Sequence, residues 1–165
     1  MTSMKTYQAP WGKPLVICSG LLVALAVACV IAAAFMRSYI TPVFLAPFAQ
    51  WLLPVIVLGC LPFMIRGYGL TEDAILIRRL FWTTRLDRGG LKSAEVIPKA
   101  MNKSMRTCGN GGGFSFTGWY WSKPLGFYRA FVTDLNRTVV LRFEKRTVVV
   151  SPDEPEDFVK NLNLR

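Results

Sequence analysis

Two groups of basic residues offer the most definite chemistry in this sequence. Arg78, Arg79, Arg85 and Arg88 flank the aromatic pair Phe81-Trp82, and Lys99, Lys103 and Arg106 precede a run of glycines. Cations beside aromatic rings suit membrane lipids: the rings enter the headgroup boundary while the charges hold phosphates. The competing expectation is that Phe81 and Trp82 pack in a core and the arginines keep that face soluble. A second aromatic set, Trp119, Trp121 and Tyr128, falls in one hairpin-like stretch and suits contact with a partner protein or a second copy, because such side chains dominate interface hot spots. Successive strand residues point to opposite sides, so some of these rings should face outward.

Catalysis has little to draw on. The chain has no histidine, which removes the commonest general base, the commonest zinc ligand and any Ser–His or Cys–His pair. A Ser–Lys or carboxylate site is the remaining route, and the acids cluster in turns and at the start of the last helix, so no catalytic residue is assigned. Cys18, Cys29, Cys60 and Cys108 lack CxxC spacing, and neither a metal nor a cofactor is expected. Gly109-Asn110-Gly111-Gly112-Gly113 lacks the Gly-Lys-Ser/Thr end of a phosphate loop, and Phe114 stands at the third glycine position of a dinucleotide fingerprint. The run reads instead as a turn entering a strand through positive-φ glycines. Net positive charge alone would suit nucleic acid, but no recognition helix or stacking module accompanies it, so that partner is not expected.

The elements that position these residues divide at about residue 65. All ten Asp and Glu lie beyond it, and only Lys5, Lys13 and Arg37 are charged before Arg66. The uncharged runs 14–36 and 38–65 are each long enough to cross a bilayer, which takes about 20 apolar residues. We expect a cytoplasmic segment 1–14, a first span 15–36 with Trp11 and Tyr39 near the headgroups, an external loop 37–46 and a second span 47–65. Pro47 suits a first helical turn, whereas Pro54 should kink the second span. Ala32-Ala33-Ala34 would fit a signal-peptide cleavage site, but the apolar stretch is longer than a signal peptide requires and a second follows at once. Lys5, Lys13, Arg66, Arg78 and Arg79 outnumber the lone Arg37 between the spans, which predicts both ends in the cytoplasm.

Past residue 65 the pattern turns to short alternating runs, the signature of strands. Strands are expected at 74–80, 83–87, 93–97, 114–120, 127–133, 138–143 and 147–150, with a short leading one at 68–71. The polar connectors 134–137 and 144–146 are short enough for antiparallel hairpins. Val139, Leu141 and Phe143 share a face to be buried, opposite Thr138, Val140 and Arg142. Ser151, Pro152 and Glu154 form a Ser-x-x-Glu signature for the start of a C-terminal helix bearing Phe158, Val159 and Leu162.

The stretch from Tyr68 to Leu162 resembles a bacterial pleckstrin-homology-like domain. The resemblance rests on Gly69-Leu70-Thr71 leading into Ile75-Leu76-Ile77-Arg78-Arg79, the glycine turn, Phe131-Val132-Thr133-Asp134 and the closing 151–158 segment. It implies a bent sheet or partly open barrel of about seven antiparallel strands, capped by a C-terminal α-helix, in a domain spanning 67–165. With the helices in front, the expected architecture is a two-helix transmembrane hairpin carrying that domain. The expected role is a non-enzymatic module making protein or lipid contacts at the cytoplasmic face. The alternative is a subunit or regulator of a membrane protein complex that binds through the exposed aromatic hairpin. From Arg66 onward 17 basic residues face 10 acids, so attraction to anionic headgroups is expected to help orient the domain.

Overall fold

The computed structural model describes residues 4–36 and 46–162. Strand β1 (Lys5–Gln8) leads into helix α1 (Lys13–Met36); helix α2 (Ala46–Cys60) and a 3-10 turn (Leu61–Phe63) lead into β2 (Ile65–Leu70). There follow β3 (Ala74–Arg79), β4 (Thr83–Asp87), β5 (Leu91–Val96), β6 (Met105–Gly111), β7 (Phe116–Ser122), β8 (Gly126–Val132), β9 (Val139–Phe143), β10 (Thr147–Val150) and helix α3 (Pro155–Asn161).

The 24-residue α1 is built of Leu, Val, Ile and Ala with no charge after Lys13, and at 1.5 Å per residue it is about 36 Å long. It is the one described helix long and apolar enough to cross a membrane. Side chains such as Ile17, Leu21, Leu25 and Phe35 are exposed on it. α2 is shorter than the expected second span: it stops at Cys60, because Pro62 cannot continue the hydrogen-bond ladder, and Ile65 already belongs to a strand. Pro47 lies in its first turn and Pro54 inside it. Tyr39 and the loop 37–45 lie outside the described residues.

The strands form two sheets, ordered β1-β2-β3-β4 and β5-β9-β10-β8-β7-β6, and not a closed barrel. Several expectations are corrected here. The domain holds nine strands, β2 to β10, rather than about seven, and β1, from before α1, makes ten among the described residues. β1 escaped notice because four residues before Pro10 carry too little pattern, and β6 because its glycines resemble a loop. Gly109 nevertheless faces Gly118 across β6 and β7, and a Cβ on either would overlap the opposite backbone, so the pair brings the two strands close. The ladder is not wholly antiparallel, since β10 inserts beside β8 and runs parallel to it. The 134–137 connector therefore makes no hairpin, whereas 144–146 does.

Both faces of the larger sheet are buried at its centre. Phe131, Val139, Leu141, Val148 and Val150 meet the smaller sheet's Tyr68, Ile75 and Ile77, and α3 plugs the end with Phe158 and Leu162. Tyr128, Ala130, Val132, Val140 and Val149 pack on the opposite side beneath Met101, so Val140 is buried rather than solvated. α3 begins at Pro155 with no side-chain cap, and the Ser-x-x-Glu signature is unused. Ser151 is instead buried, its hydroxyl accepting from the Thr133 amide at 2.8 Å and lying 3.3 Å from the Tyr68 hydroxyl.

One pairing ties the halves together. β1 and β2 are adjacent antiparallel strands, Tyr7 opposite Tyr68 and Gln8 opposite Gly67, although both helices lie between them in sequence. A Cβ at Gly67 would come within 2.6 Å of the Tyr7 carbonyl, so glycine permits this close approach.

Candidate functional site

The end of the domain next to the helices gathers the chemistry. Arg79 closes β3 opposite Ile65, just after the 3-10 turn, and its backbone N–H donates to the Trp82 carbonyl at 2.9 Å across the hairpin tip. Its side chain turns inward and is only 7% exposed. The guanidinium lies over three rings, with centroids at 5.6 Å for Phe63, 5.4 Å for Trp82 and 5.2 Å for Phe131. Arg129 of β8 approaches the Phe131 ring to 4.9 Å and that of Trp119, its cross-strand neighbour, to 5.9 Å. Burial, with Arg129's positive charge adding to it, lowers the Arg79 pKa. Cation–π contacts contribute about 0.5–2 kcal/mol each against several kcal/mol for removing an unpaired ion from water, and they leave its N–H donors unfilled.

Beside this cleft the glycine turn docks on the helices. The Ser19 hydroxyl of α1 donates to the Gly112 carbonyl at 3.1 Å and accepts from the Phe114 amide at 3.0 Å. The Ser115 hydroxyl donates to the Phe63 carbonyl at 2.9 Å. Gly109 and Gly112 take φ values of 118° and 126°, as a turn through positive-φ glycines requires, and Phe114 joins them at 67°. A groove of about 350 Å³ remains between Cys18, Leu22, Ile56, Cys60 and the turn, with Arg106 at its edge.

The basic residues of the first expected cluster part company. Phe81 is 74% exposed and Trp82 partly so, which removes the core-packing alternative for the tip. Arg78 is exposed, whereas Arg79 is buried, since consecutive strand residues face opposite sides. Arg85 pairs with Asp87 at 3.1 Å on the surface. Arg88 is corrected from headgroup contact to a structural tie: it donates to the Thr71 carbonyl at 2.9 Å and to the Leu162 carbonyl at the end of α3. Lys99 and Lys103 are exposed, each with φ of 57°, and the Arg106 side chain folds along Gly111.

The aromatic hairpin also divides. Trp119 and Trp121 are exposed on the face that carries Arg129, beside Met105 and the 67%-exposed Phe127. Tyr128 is corrected to a core residue: it points to the other face, is fully buried, stacks on Tyr120 with centroids 5.9 Å apart and donates to the Ser104 hydroxyl at 2.7 Å. Sequence reasoning did not select Arg129, Phe63 or Ser19. Arg129 lies two residues before Phe131 on the same strand face, a spacing visible in the sequence without naming what it faces.

Among the described residues no group of three His, Cys, Asp or Glu could hold a metal ion. Two sheets, a helix closing one end and a basic, ring-lined cluster at the other define a mainly-β domain. The family model described as Bacterial PH domain matches residues 66–165, and the chain belongs to that family. No curated protein and no solved structure matches the chain.

Proposed function

We propose that this chain is a non-enzymatic, membrane-anchored binding module. α1 and α2 cross a bacterial inner membrane as a hairpin and hold the PH domain at the cytoplasmic face, where it contacts lipid or protein. The pairing of β1 with β2 carries this reading. A chain that leaves the sheet through α1 and returns to the adjacent strand has to come back to the side it left, so a crossing by α1 calls for a second crossing. The 15 residues of α2 supply about 22 Å and the 3-10 turn about 6 Å more, close to the ~30 Å hydrocarbon core, and local thinning accommodates the rest. The exposed apolar side chains of both helices, among them Leu21, Leu25, Trp51 and Leu58, need lipid or a partner to cover them. The excess of Lys and Arg flanking the helices supports cytoplasmic termini.

The test uses the full chain, because a fragment starting at Gly67 would omit β1 and the first residues of β2. In a background without the four native cysteines, a cysteine at Thr41 should react with an impermeant maleimide on intact spheroplasts, while cysteines at Thr6 and Lys145 should react only after lysis. Release of the protein by alkaline carbonate, or labelling of the two cytoplasmic positions on opposite sides, overturns the proposal. A second reading, a subunit or regulator of a membrane protein complex, is favoured by the exposed row Trp119, Trp121 and Phe127. It predicts that Trp121→Ala abolishes a detergent-stable assembly without lowering the Tm.

A further inference from the structure

Arg79 has hydrogen-bonding capacity that nothing meets. Its Nε and Nη1 are buried without a partner among the described residues. A buried guanidinium ordinarily has a carboxylate. All ten acids lie within the described residues, and the ion pairs there join Asp157, Asp87, Glu144 and Asp134 to Lys5, Arg85, Lys92 and Arg137. A second cation, Arg129, lies on the same Phe131 ring, with no ion-pair partner among the described residues. Two cations on one ring, one of them with buried donors unfilled, are one half of an anion site, and planar guanidiniums match the tetrahedral oxygens of a phosphate. The partly exposed rings of Phe63, Trp82 and Trp119 lie against the two guanidiniums as an apolar rim, which a free ion would not use and a lipid would.

We propose that Arg79 and Arg129 together bind the phosphate of an anionic membrane lipid, with the aromatic rim against its glycerol and upper acyl region. The proposal rests on the membrane-anchored reading, which puts this pair of arginines at the bilayer surface. The shared chemistry is phosphate recognition, and the source is resolved by titrating the purified full chain in a non-ionic detergent with three probes: dioctanoyl phosphatidylglycerol, dioctanoyl phosphatidylcholine and inorganic phosphate. Thermal shift and tryptophan fluorescence provide the readouts, since Trp82 and Trp119 frame the site.

We expect saturable binding of phosphatidylglycerol, at least tenfold weaker with phosphatidylcholine and with inorganic phosphate. Arg129→Gln should weaken phosphatidylglycerol binding at least tenfold, Arg129→Lys should recover part of it, and Lys145→Gln in the distant β9–β10 turn should leave it unchanged. Arg129 is only half-buried, so this variant keeps the test open even where Arg79→Gln fails to fold. Equal weakening by Lys145→Gln would show diffuse attraction and overturn the site; so would the absence of saturable phosphatidylglycerol binding. Inorganic phosphate competing at the same affinity would overturn the lipid assignment. A chain that resists carbonate extraction yet shows no saturable binding loses this site alone. One that is extracted yet binds phosphate loses the anchoring instead.

Discussion

The two ends of the PH domain treat charge in opposite ways. At the end away from the helices, Lys5 donates to Asp157 at 2.7 Å, the Tyr7 hydroxyl donates to the same carboxylate at 2.8 Å, and Arg88 reaches two backbone carbonyls. At the helix end, Arg79 and Arg129 share a ring and no acid. The first arrangement closes the fold, joining β1 to α3 across nearly the whole sequence. The second leaves an electrostatic cost standing in the free protein, and an interaction that stabilises a complex rather than a fold has this form.

The largest test is Phe158→Ala, which removes the ring packed 5.1 Å from Tyr7 and 6.4 Å from Tyr68. We expect a loss of about 3–5 kcal/mol in chemical denaturation, since a fully buried aromatic leaves a cavity that cannot collapse. A loss below 1 kcal/mol would break the claim that the far end closes the fold. Tyr68→Phe follows: it deletes a hydroxyl that donates to the Phe131 carbonyl at 2.7 Å and accepts from the Ser151 amide at 3.2 Å, leaving buried groups unpaired. About 1–3 kcal/mol should go, and the phenol, which burial pushes up to about 12, should stay protonated in the native protein at pH 10, where a free tyrosine is half ionised.

Arg79→Met sharpens the comparison through its sign. In detergent without anionic lipid this variant should match or exceed the wild type in unfolding free energy, by about 1 kcal/mol, because an unpaired buried ion is exchanged for an apolar chain of similar length. A large destabilisation would make Arg79 a structural residue like Arg88. The smallest effect is acid sensitivity at the far end. The hydrogen bond from Lys5, aided by that from Tyr7, holds the Asp157 carboxyl below its ordinary value of 3.8. Its contribution is therefore present above about pH 4 and fades as pH falls through the lowered value. Asp157→Asn should lose a little Tm at pH 7 and show a shallower decline below pH 4, and unchanged acid dependence would remove the pair from the account.

How much could be read beforehand follows the range of each interaction. Alternation located β3, β4 and β10 almost to the residue because their faces are set by their own side chains. Of the expected site, the exposure of Phe81 and Trp82 agrees with the reading of an aromatic tip among arginines. The burial of Arg79 beside it was not legible: the local pattern says that Arg78 and Arg79 face opposite sides, not which side another sheet covers. Tyr128 and Arg88 were misjudged for the same reason, as both are fixed by partners distant in sequence, Ser104 for one and Leu162 for the other. Ser151 looked like a helix cap because its neighbours fit one, yet Tyr68 and Thr133 claim its hydroxyl.

By itself, the sequence determined that the first helix is long, uncharged and apolar, that the rest is strand-rich with a short closing helix, and that its basic residues outnumber its acids. These follow from composition and period, which every stretch of chain carries within itself. Only the tertiary structure decided that β1 pairs with β2 across the helices, that β10 lies parallel to β8, and that Arg79 and Arg129 lie on one ring with no acid paired to either. Those are matters of partner rather than period: a strand's backbone donors fit any other strand's acceptors, and packing the two faces of the larger sheet selects which strand that is.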